Sequence, residues 1–279
     1  MRKLRQDDLV LCSGTVRRLD LPDTAAVASG AGYQGISIYL HEVRAARREG
    51  WTLASLRRML DDLDLAVAEI DGQVSWLPGE PSGERAASVD EALEVAAGLA
   101  ARSLTALEWN GHRVGVDLDA TFVADAFGEL CARAASQELL VHIEYFPFSG
   151  IPDLATALAV ANGAACANGG VMVDVWHHVR GADGGNPEVL VGAAPKVFGV
   201  QLNDAAIAAG DDVRHECMHG RELPGAGVAA CGPIAAALRR GGCVAPFGVE
   251  VFSDVLDERD PDDAARRARD AARRVLRAR

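Results

Sequence analysis

Four oxygen-bearing side chains in this sequence stand at the carboxyl ends of short apolar runs and could share one metal ion. They are Glu144, Asp174, Gln201 and Glu250. A single acidic residue in such a place is usually a surface carboxylate, but four in successive units favour a shared site. Carboxylates that converge in a dry environment are costly to bury without a cation. An all-oxygen donor set favours a hard ion such as Mn²⁺ or Mg²⁺, with Co²⁺ or Zn²⁺ as alternatives.

These side chains can meet only if parallel strands carry them to one face of a sheet. Eight apolar segments alternate with helical patterns along the chain. We predict strands at 9–15, 33–40, 65–70 and 103–109, and four more that end at Glu144, Asp174, Gln201 and Glu250. We predict helices at 52–63, 89–101, 120–136, 153–167, 187–192 and 233–240, with one more opening near residue 20 and one closing the chain.

Strand–helix units of roughly 30–35 residues predict an α/β fold, a closed (β/α)₈ TIM barrel of about 250 residues. We therefore expect a single barrel domain over residues 1–279. The alternative is an open doubly wound sheet, which normally carries a glycine-rich phosphate turn after an early strand. Cys12-Ser13-Gly14-Thr15 is not such a turn, so we expect no nucleotide cofactor.

The composition limits the partners and the cellular location. A formal net charge of −12 argues against general binding to nucleic acid or to a membrane surface, since both need a basic surface. No apolar run approaches the roughly 18 residues of a membrane span. The apolar run at 9–12 is too short for an export signal, and the six cysteines are scattered without a CxxC pair. We therefore predict reduced thiols and a cytoplasmic protein.

Five segments of the chain together resemble the xylose isomerase-like TIM barrels. They are His142-Ile143-Glu144, Val173-Asp174-Val175-Trp176-His177, Gln201-Leu202-Asn203-Asp204, Arg221-Glu222-Leu223-Pro224-Gly225 and Gly248-Val249-Glu250-Val251-Phe252-Ser253. This superfamily includes sugar phosphate isomerases and ketose 3-epimerases, inosose isomerases and dehydratases, dehydroshikimate dehydratases, and proteins like AP endonuclease family 2. The resemblance is specific for the superfamily and does not choose the substrate.

The resemblance implies a role for each of the matching residues. One divalent metal ion would be bound by Glu144, Asp174, Gln201 and Glu250. Glu144 and Glu250 would also act as the catalytic acid/base pair, while His177 and Arg221 would contact the substrate.

Other side chains near the predicted strand ends have both a structural and a functional interpretation. The aromatic residues that either line an apolar wall or pack under loops are Trp76, Trp109, Phe146, Phe148 and Trp176. Trp109 is our candidate among them for substrate contact. His219, in the long loop after the seventh strand, is a second candidate, and His215, Cys217 and His219 could instead bind a second metal ion. We expect His142 to be a hydrogen-bonded residue inside the barrel rather than a ligand. We expect His41 and Glu108 to be polar residues that face loops, with substrate contact as the alternative for either.

A metal ion beside a carbonyl and a neighbouring hydroxyl acidifies the carbon between them. The resemblance therefore implies an isomerase or epimerase of a small keto-sugar or polyol, acting by proton transfer through a metal-stabilised enediolate. The alternative is a metal-dependent dehydratase or lyase on a cyclic keto-polyol, like dehydroshikimate or inosose dehydratases. Gln201 supports this alternative, because sugar epimerases usually have histidine there. A glutamate expected shortly after Glu144 is also missing from 148–151.

Two further classes are less favoured. An abasic-site endonuclease of this fold would need a histidine-rich site with three metal ions, and the chain has only seven histidines. A sugar-binding barrel without activity would not need an acid/base pair. The alanine-rich helix predicted at 120–135 could pack against a second subunit, so a homo-oligomer is an open expectation.

Overall fold

Parallel strands form a closed barrel in this protein. The structure is a computed structural model that describes residues 3–72, 74–79, 83–84, 86–108, 119–210 and 212–277. Its strands are β1 (Leu9–Cys12), β2 (Gly35–Tyr39), β3 (Ala66–Asp71), β4 (Val74–Ser75), β5 (Ala87–Ser88), β6 (Ser103–Leu107), β7 (Leu140–Glu144), β8 (Gly169–Asp174), β9 (Val197–Leu202) and β10 (Phe247–Val249). The barrel order is β1-β10-β9-β8-β7-β6-β3-β2, while β4 and β5 pair in a small separate sheet.

Helices connect the strands and pack around the barrel. They are α1 (Leu21–Ala31), α2 (Leu40–Arg48), α3 (Leu53–Asp62), α4 (Val89–Leu99), α5 (Ala120–Ala135), α6 (Leu154–Gly163), α7 (Val175–Arg180), α8 (Glu188–Ala193), α9 (Val213–His219), α10 (Cys231–Arg240), α11 (Asp254–Asp257) and α12 (Pro261–Arg277). Within the described ranges, no helix is both long enough and apolar enough to cross a membrane.

Local sequence explains where several helices begin. The carboxylates of Asp20, Asp119 and Asp153 each accept a hydrogen bond from the backbone N–H three residues later, at the start of α1, α5 and α6. Such caps satisfy donors that have no partner within the helix. α1 ends at Gly32, whose φ of 82° suits glycine because it lacks a Cβ.

Strand register brings the predicted site residues to the same end of the barrel. Asp174 pairs directly with Gln201, and Gln201 pairs with Gly248, two residues before Glu250. Glu144 is level with Met172, two residues before Asp174. Because alternate residues share a face of a strand, this register turns the site residues toward the barrel interior.

Small residues below the site make room for the interior side chains. A Cβ at Gly199 would lie 2.5 Å from Cε1 of His142, and one at Gly248 would lie 3.0 Å from Sγ of Cys12. His142 is completely buried, and its Nε2 lies 3.1 Å from the Thr105 hydroxyl. The expectation that His142 lies inside the barrel is therefore confirmed.

The predicted TIM barrel is confirmed, with differences at the ends of elements. β3 extends one residue beyond the prediction, to Asp71, and α6 ends at Gly163 rather than at residue 167. Short helices contain few apolar repeats and therefore show no clear period. Among them only α8 was predicted, at 187–192, while α2, α7, α9 and α11 were not.

Candidate active site

The strand ends open into a cavity of about 570 Å³. Among the described residues, its lining consists of Arg17, Tyr39, His41, Glu42, Asp71, Gly72, Glu84, Leu107, Glu144, Phe146, His177, Cys217, Met218, Arg221, Glu250 and Phe252. The carboxyl ends of barrel strands are where active sites of this fold lie. Acidic residues from several strands meet at the floor of this cavity.

Glu144, Asp174 and His177 form a cluster that could hold a metal ion. Each offers one ligand atom, and these atoms lie within 4.8 Å of one another. Asp174 ends β8 and caps α7, because its Oδ1 accepts a hydrogen bond from the backbone N–H of His177 at 3.0 Å. This cap fixes His177 on the first turn of α7, where its Nε2 lies 3.4 Å from Oε1 of Glu144.

His177 has the protonation state that a metal ligand needs. Burial lowers the pKa of its imidazole to about 4, and the nearby Asp174 carboxylate offsets only part of that shift. The ring is therefore neutral at pH 7. Its Nδ1 is buried and has no hydrogen-bond partner among the described residues. Metal coordination or a substrate hydroxyl could satisfy such an atom.

Arg221 is the buried cation of the site. Its Nη1 donates to Oδ2 of Asp174 at 2.7 Å and lies 3.4 Å from Oε2 of Glu250. Its Nε donates to the carbonyl of Cys217 at 2.8 Å, and Phe252 faces the guanidinium at 4.8 Å. The guanidinium thus joins the strand end that carries Asp174 to the one that carries Glu250.

Glu250 has a second partner that the sequence analysis missed. The Tyr39 hydroxyl donates to Oε1 of Glu250 at 2.7 Å. Burial raises the pKa of Glu250 to about 8; Arg221 opposes this shift and Asp71 adds to it. Tyr39 stands at the end of an apolar strand, but an aromatic residue in such a position is more often part of the core.

Gln201 faces two further carboxylates that were also missed. Its Nε2 lies 3.5 Å from Oε1 of Glu69 and 3.4 Å from Oδ2 of Asp71, both in β3. Burial, reinforced by Glu250, raises the pKa of Glu69 to about 8, and burial together with Glu144 raises that of Asp71 well above its ordinary value. The sequence could have indicated Glu69 and Asp71, because they are two acidic residues at alternate positions of one apolar run.

The site therefore concentrates negative charge. Its buried carboxylates include those of Glu69, Asp71, Glu144, Asp174 and Glu250, and the buried Glu42 also lines the cavity. The buried guanidinium of Arg221 compensates one of them. Burial raises the pKa of Glu144 to about 8, with Asp174 adding to the shift. Such a site either keeps protons on its carboxylates or exchanges them for a cation, so the donor set fits a divalent metal ion.

The remaining candidates are Trp109, His219 and the possible second metal site at His215, Cys217 and His219. Trp109 falls outside the described residues. Nδ1 of His219 lies 2.9 Å from the Asp254 carboxylate, its ring stacks on His215, and it is not among the described residues that line the cavity. Cys217 does line the cavity, and its Sγ accepts from Nη2 of Arg221 at 3.3 Å.

His41 and Glu108 are the two polar residues that we expected to face loops. His41 lines the cavity and stacks on Tyr39, with ring centroids 5.4 Å apart. Glu108 is buried, and its Oε2 accepts a hydrogen bond from the Gly150 N–H at 2.6 Å. Glu108 therefore faces the loop after β7, as expected, whereas His41, on the first turn of α2, borders the cavity.

The aromatic residues divide between the two interpretations. Phe146 lines the cavity and contacts Phe148, with ring centroids 5.0 Å apart. Trp176 is completely buried, and its Nε1 donates to Glu216 at 3.1 Å. Trp76 packs on Phe127 instead and donates to the carbonyl of Leu107.

Comparisons with known proteins agree with this architecture. A comparison with curated proteins finds no match. The IolI protein with a bound zinc atom superposes with a TM-score of 0.81 at 17% identity, covering 96% of this chain and 98% of that one. D-allulose 3-epimerase from Methylomonas sp., in complex with D-allulose, gives 0.74 at 17% identity, covering 99% of both chains.

A third solved structure contains the barrel as one part of a longer chain. It is a xylose isomerase-like TIM barrel/4-hydroxyphenylpyruvate dioxygenase fusion protein, with a TM-score of 0.80 at 18% identity. The match covers 97% of this chain and 42% of the fusion. At these identities the likeness establishes the fold and not the reaction. The model of the xylose isomerase-like TIM barrel family matches residues 25–277, nearly the whole sequence, and the chain therefore belongs to that family.

Proposed function

We propose that this protein is a divalent-metal-dependent isomerase or epimerase that acts on a small keto-sugar or polyol. The observation that carries this proposal is the cluster of Glu144, Asp174 and His177 beside the second buried glutamate, Glu250. The epimerase and the zinc-bound IolI protein among the similar structures support the same class of site.

The proposed metal site combines the sequence prediction with the observed cluster. Glu144 and Asp174 would anchor the ion, and Gln201 and Glu250 would complete the predicted ligand set. His177 is a further ligand candidate, since it reaches the same two carboxylates. Mn²⁺ or Mg²⁺ suits a mainly oxygen donor set, and an imidazole ligand also suits Co²⁺ or Zn²⁺. When bound, the ion supplies Lewis-acid chemistry that makes a carbon next to a carbonyl more acidic.

Glu144 and Glu250 are the proposed acid and base. Both are buried, and burial raises the pKa of each to about 8. A group with a pKa near the working pH can both take and return a proton, and such groups contribute roughly 10²–10⁴-fold. Tyr39 and Arg221 hold the two oxygens of Glu250 in place, so that glutamate is oriented before substrate binds.

Isotope exchange tests the proposal. The protein with Mn²⁺ is incubated in D₂O with a panel of ketoses, and deuterium at carbon is followed by NMR. We expect uptake next to the carbonyl of at least one ketose, and loss of 10²-fold or more in Glu144→Gln and Glu250→Gln. Glu258→Gln, at an exposed glutamate, is the matched control and should retain wild-type exchange. Absence of exchange across the panel would contradict the proposal.

A dehydratase acting on a cyclic keto-polyol is the second candidate. Gln201 favours it, because the amide donates toward Glu69 and Asp71 in a position where sugar epimerases usually have histidine. Abstraction of the same proton would then be followed by loss of a hydroxyl. The two reactions differ in their products: dehydration produces enone absorbance in the ultraviolet, whereas epimerisation incorporates deuterium without it.

A further inference from the structure

The walls of the cavity differ in chemistry from its floor. We propose that the substrate is an uncharged hydroxyketone that carries an apolar substituent, with the hydroxyketone on the acidic floor and the substituent against an apolar wall. The position of the hydroxyketone rests on the proposed function. The apolar wall rests on separate observations.

A second hydrophobic cluster, separate from the barrel core, forms this wall. Its members are Phe146, Phe148, Trp176, Ala205 and Cys217, with Leu107, Val179, Val213 and Met218 packed against them. Leu107, Phe146, Cys217 and Met218 of this cluster also line the cavity. The cluster borders the ligand space directly, and an apolar group that binds there leaves water.

Two aromatic side chains outside this cluster add to the apolar surface of the lining. Phe252 lines the cavity and lies so close to Gly14 that a Cβ there would be 2.8 Å from its ring. The packing fixes the ring in place. Tyr39 lies beside it, with its hydroxyl held by Glu250. Leu107, Met218 and the rings of Tyr39 and Phe252 therefore give the lining enough apolar surface to contact a flat substituent.

The charged side chains of the lining disfavour an anionic substrate. Arg17 is paired with Asp254 and Asp257 at 2.8 and 2.6 Å, and Arg221 with Asp174 at 2.7 Å. Burial lowers the pKa of His41, which favours its neutral form. A phosphate or carboxylate group would meet cations already paired with carboxylates, and would also face Asp71, Glu144 and Glu250. Repulsion between like charges opposes such binding.

The cavity is also larger than a short polar substrate needs. Its volume of about 570 Å³ lies within the range of roughly 300–1,000 Å³ that holds drug-sized ligands. A hydroxyketone of three carbons fills a small part of this space. A ring or a branched alkyl group attached to it would occupy the remainder and contact the wall.

A matched pair of neutral ketones tests the proposal. Hydroxyacetone and 2-hydroxyacetophenone share the hydroxyketone group and differ in a methyl against a phenyl group. Their Kd values are measured by calorimetry, with and without Mn²⁺. We expect the phenyl ketone to bind at least tenfold more tightly in both conditions. Dihydroxyacetone phosphate, the anionic probe, should bind no more tightly than hydroxyacetone.

Substitutions in the apolar wall test whether the wall causes the preference for the phenyl ketone. Leu107→Asn and Met218→Gln keep the side-chain shape while removing apolar surface, and each should reduce the preference for the phenyl ketone to threefold or less. Val244→Ser, at a residue 71% exposed that precedes β10 at the opposite end of the barrel, should leave the preference unchanged. Thermal unfolding confirms that each variant is folded.

The possible results separate this inference from the proposed function. Equal affinity for the two ketones, lack of phenyl-ketone binding, or tighter binding of the phosphate would overturn the inference. So would a preference that persists unchanged in both folded wall variants. A phenyl preference without deuterium exchange on any ketose would instead support the apolar wall and contradict the proton-transfer function.

Discussion

At the scale of single residues, each carboxylate oxygen of Glu250 has a donor nearby among the described residues. Tyr39 donates to Oε1 at 2.7 Å, and Arg221 approaches Oε2 at 3.4 Å. Hydrogen bonds to a charged group stabilise it by roughly 1.5–3 kcal/mol. The Tyr39 bond is the shorter of the two, and Tyr39 serves no other acceptor that we identify in the described chain. Tyr39 is therefore well placed to orient Glu250.

Tyr39→Phe tests this positioning role. The variant keeps the ring that stacks on His41 and removes the donor, so we expect deuterium exchange to fall by roughly tenfold or more. Loss of a donor to the carboxylate also favours its protonated form, so the limb of the pH–rate profile that reports Glu250 should move to higher pH. Tyr33→Phe is the control, because its hydroxyl bonds to the Ala265 carbonyl away from the cavity. An unchanged profile would assign Tyr39 to packing alone.

The sequence predicts the residues that end the later strands better than those of the early ones. Glu144, Asp174, Gln201 and Glu250 follow apolar runs that end clearly, and the structure places them in or beside the acidic floor. The sequence does not identify Tyr39, Glu69 and Asp71 as site residues. Tyrosine is common in protein cores, and an acidic residue in an apolar run usually indicates that the strand ends there. Only the closure of the barrel brings β3 opposite β9, so that Gln201 meets these acids.

At the scale of elements, the packing of β9 in the barrel requires a glycine at position 199. A Cβ at Gly199 would lie 2.5 Å from Cε1 and 2.6 Å from Nδ1 of His142, and 2.9 Å from Cε of Met172. All three residues belong to neighbouring strands, β7, β8 and β9, so an added methyl group would have to displace the His142 ring and the end of the Met172 side chain. Gly199 lies two positions before Gln201 and therefore also influences where that amide sits.

Gly199→Ala is expected to destabilise the protein by overpacking. The added methyl group must displace the His142 ring, at a cost of typically 1–3 kcal/mol in the free energy of unfolding. Urea denaturation measures this difference. Gly30→Ala in α1 is the matched control: a Cβ there meets nothing within 4 Å, and alanine in a helix is more favourable by roughly 1 kcal/mol. Equal stability of the two variants would show that the barrel interior accommodates the added methyl group with little loss of stability.

Some elements follow from the sequence and others need the fold. Long helices such as α5 show a clear apolar period, and their starts are marked by aspartate caps. α7 has six residues, and it forms because Asp174 caps it at the strand end, where the same carboxylate also accepts bonds from Asn203 and Arg221. The sequence shows the aspartate but not these partners, since they arrive from β9 and from the loop after α9.

At the scale of the whole molecule, the buried acids link stability to pH. The pKa values of Glu69, Glu144 and Glu250 are each raised by burial from an ordinary value of 4.5 to about 8. Between those two values the folded protein binds more protons than the unfolded chain. The stability that these groups contribute is fully present below about pH 4.5 and is lost as the pH rises to about 8.

A divalent cation should reverse this trend, because it binds the deprotonated carboxylates of the folded protein only. Each proton that the ion displaces strengthens its apparent affinity by about tenfold per pH unit within this range. At a concentration 100-fold above Kd, Mn²⁺ should stabilise the protein by about 2.7 kcal/mol and raise Tm by about 5 °C. We expect this rise at about pH 8 and a much smaller one at about pH 5.5 for the same Mn²⁺ concentration, measured by calorimetry. Asp174→Asn should lose most of the rise, whereas Asp262→Asn on α12 should keep it. A rise that is equal at both pH values would mean that the ion binds outside the buried acids.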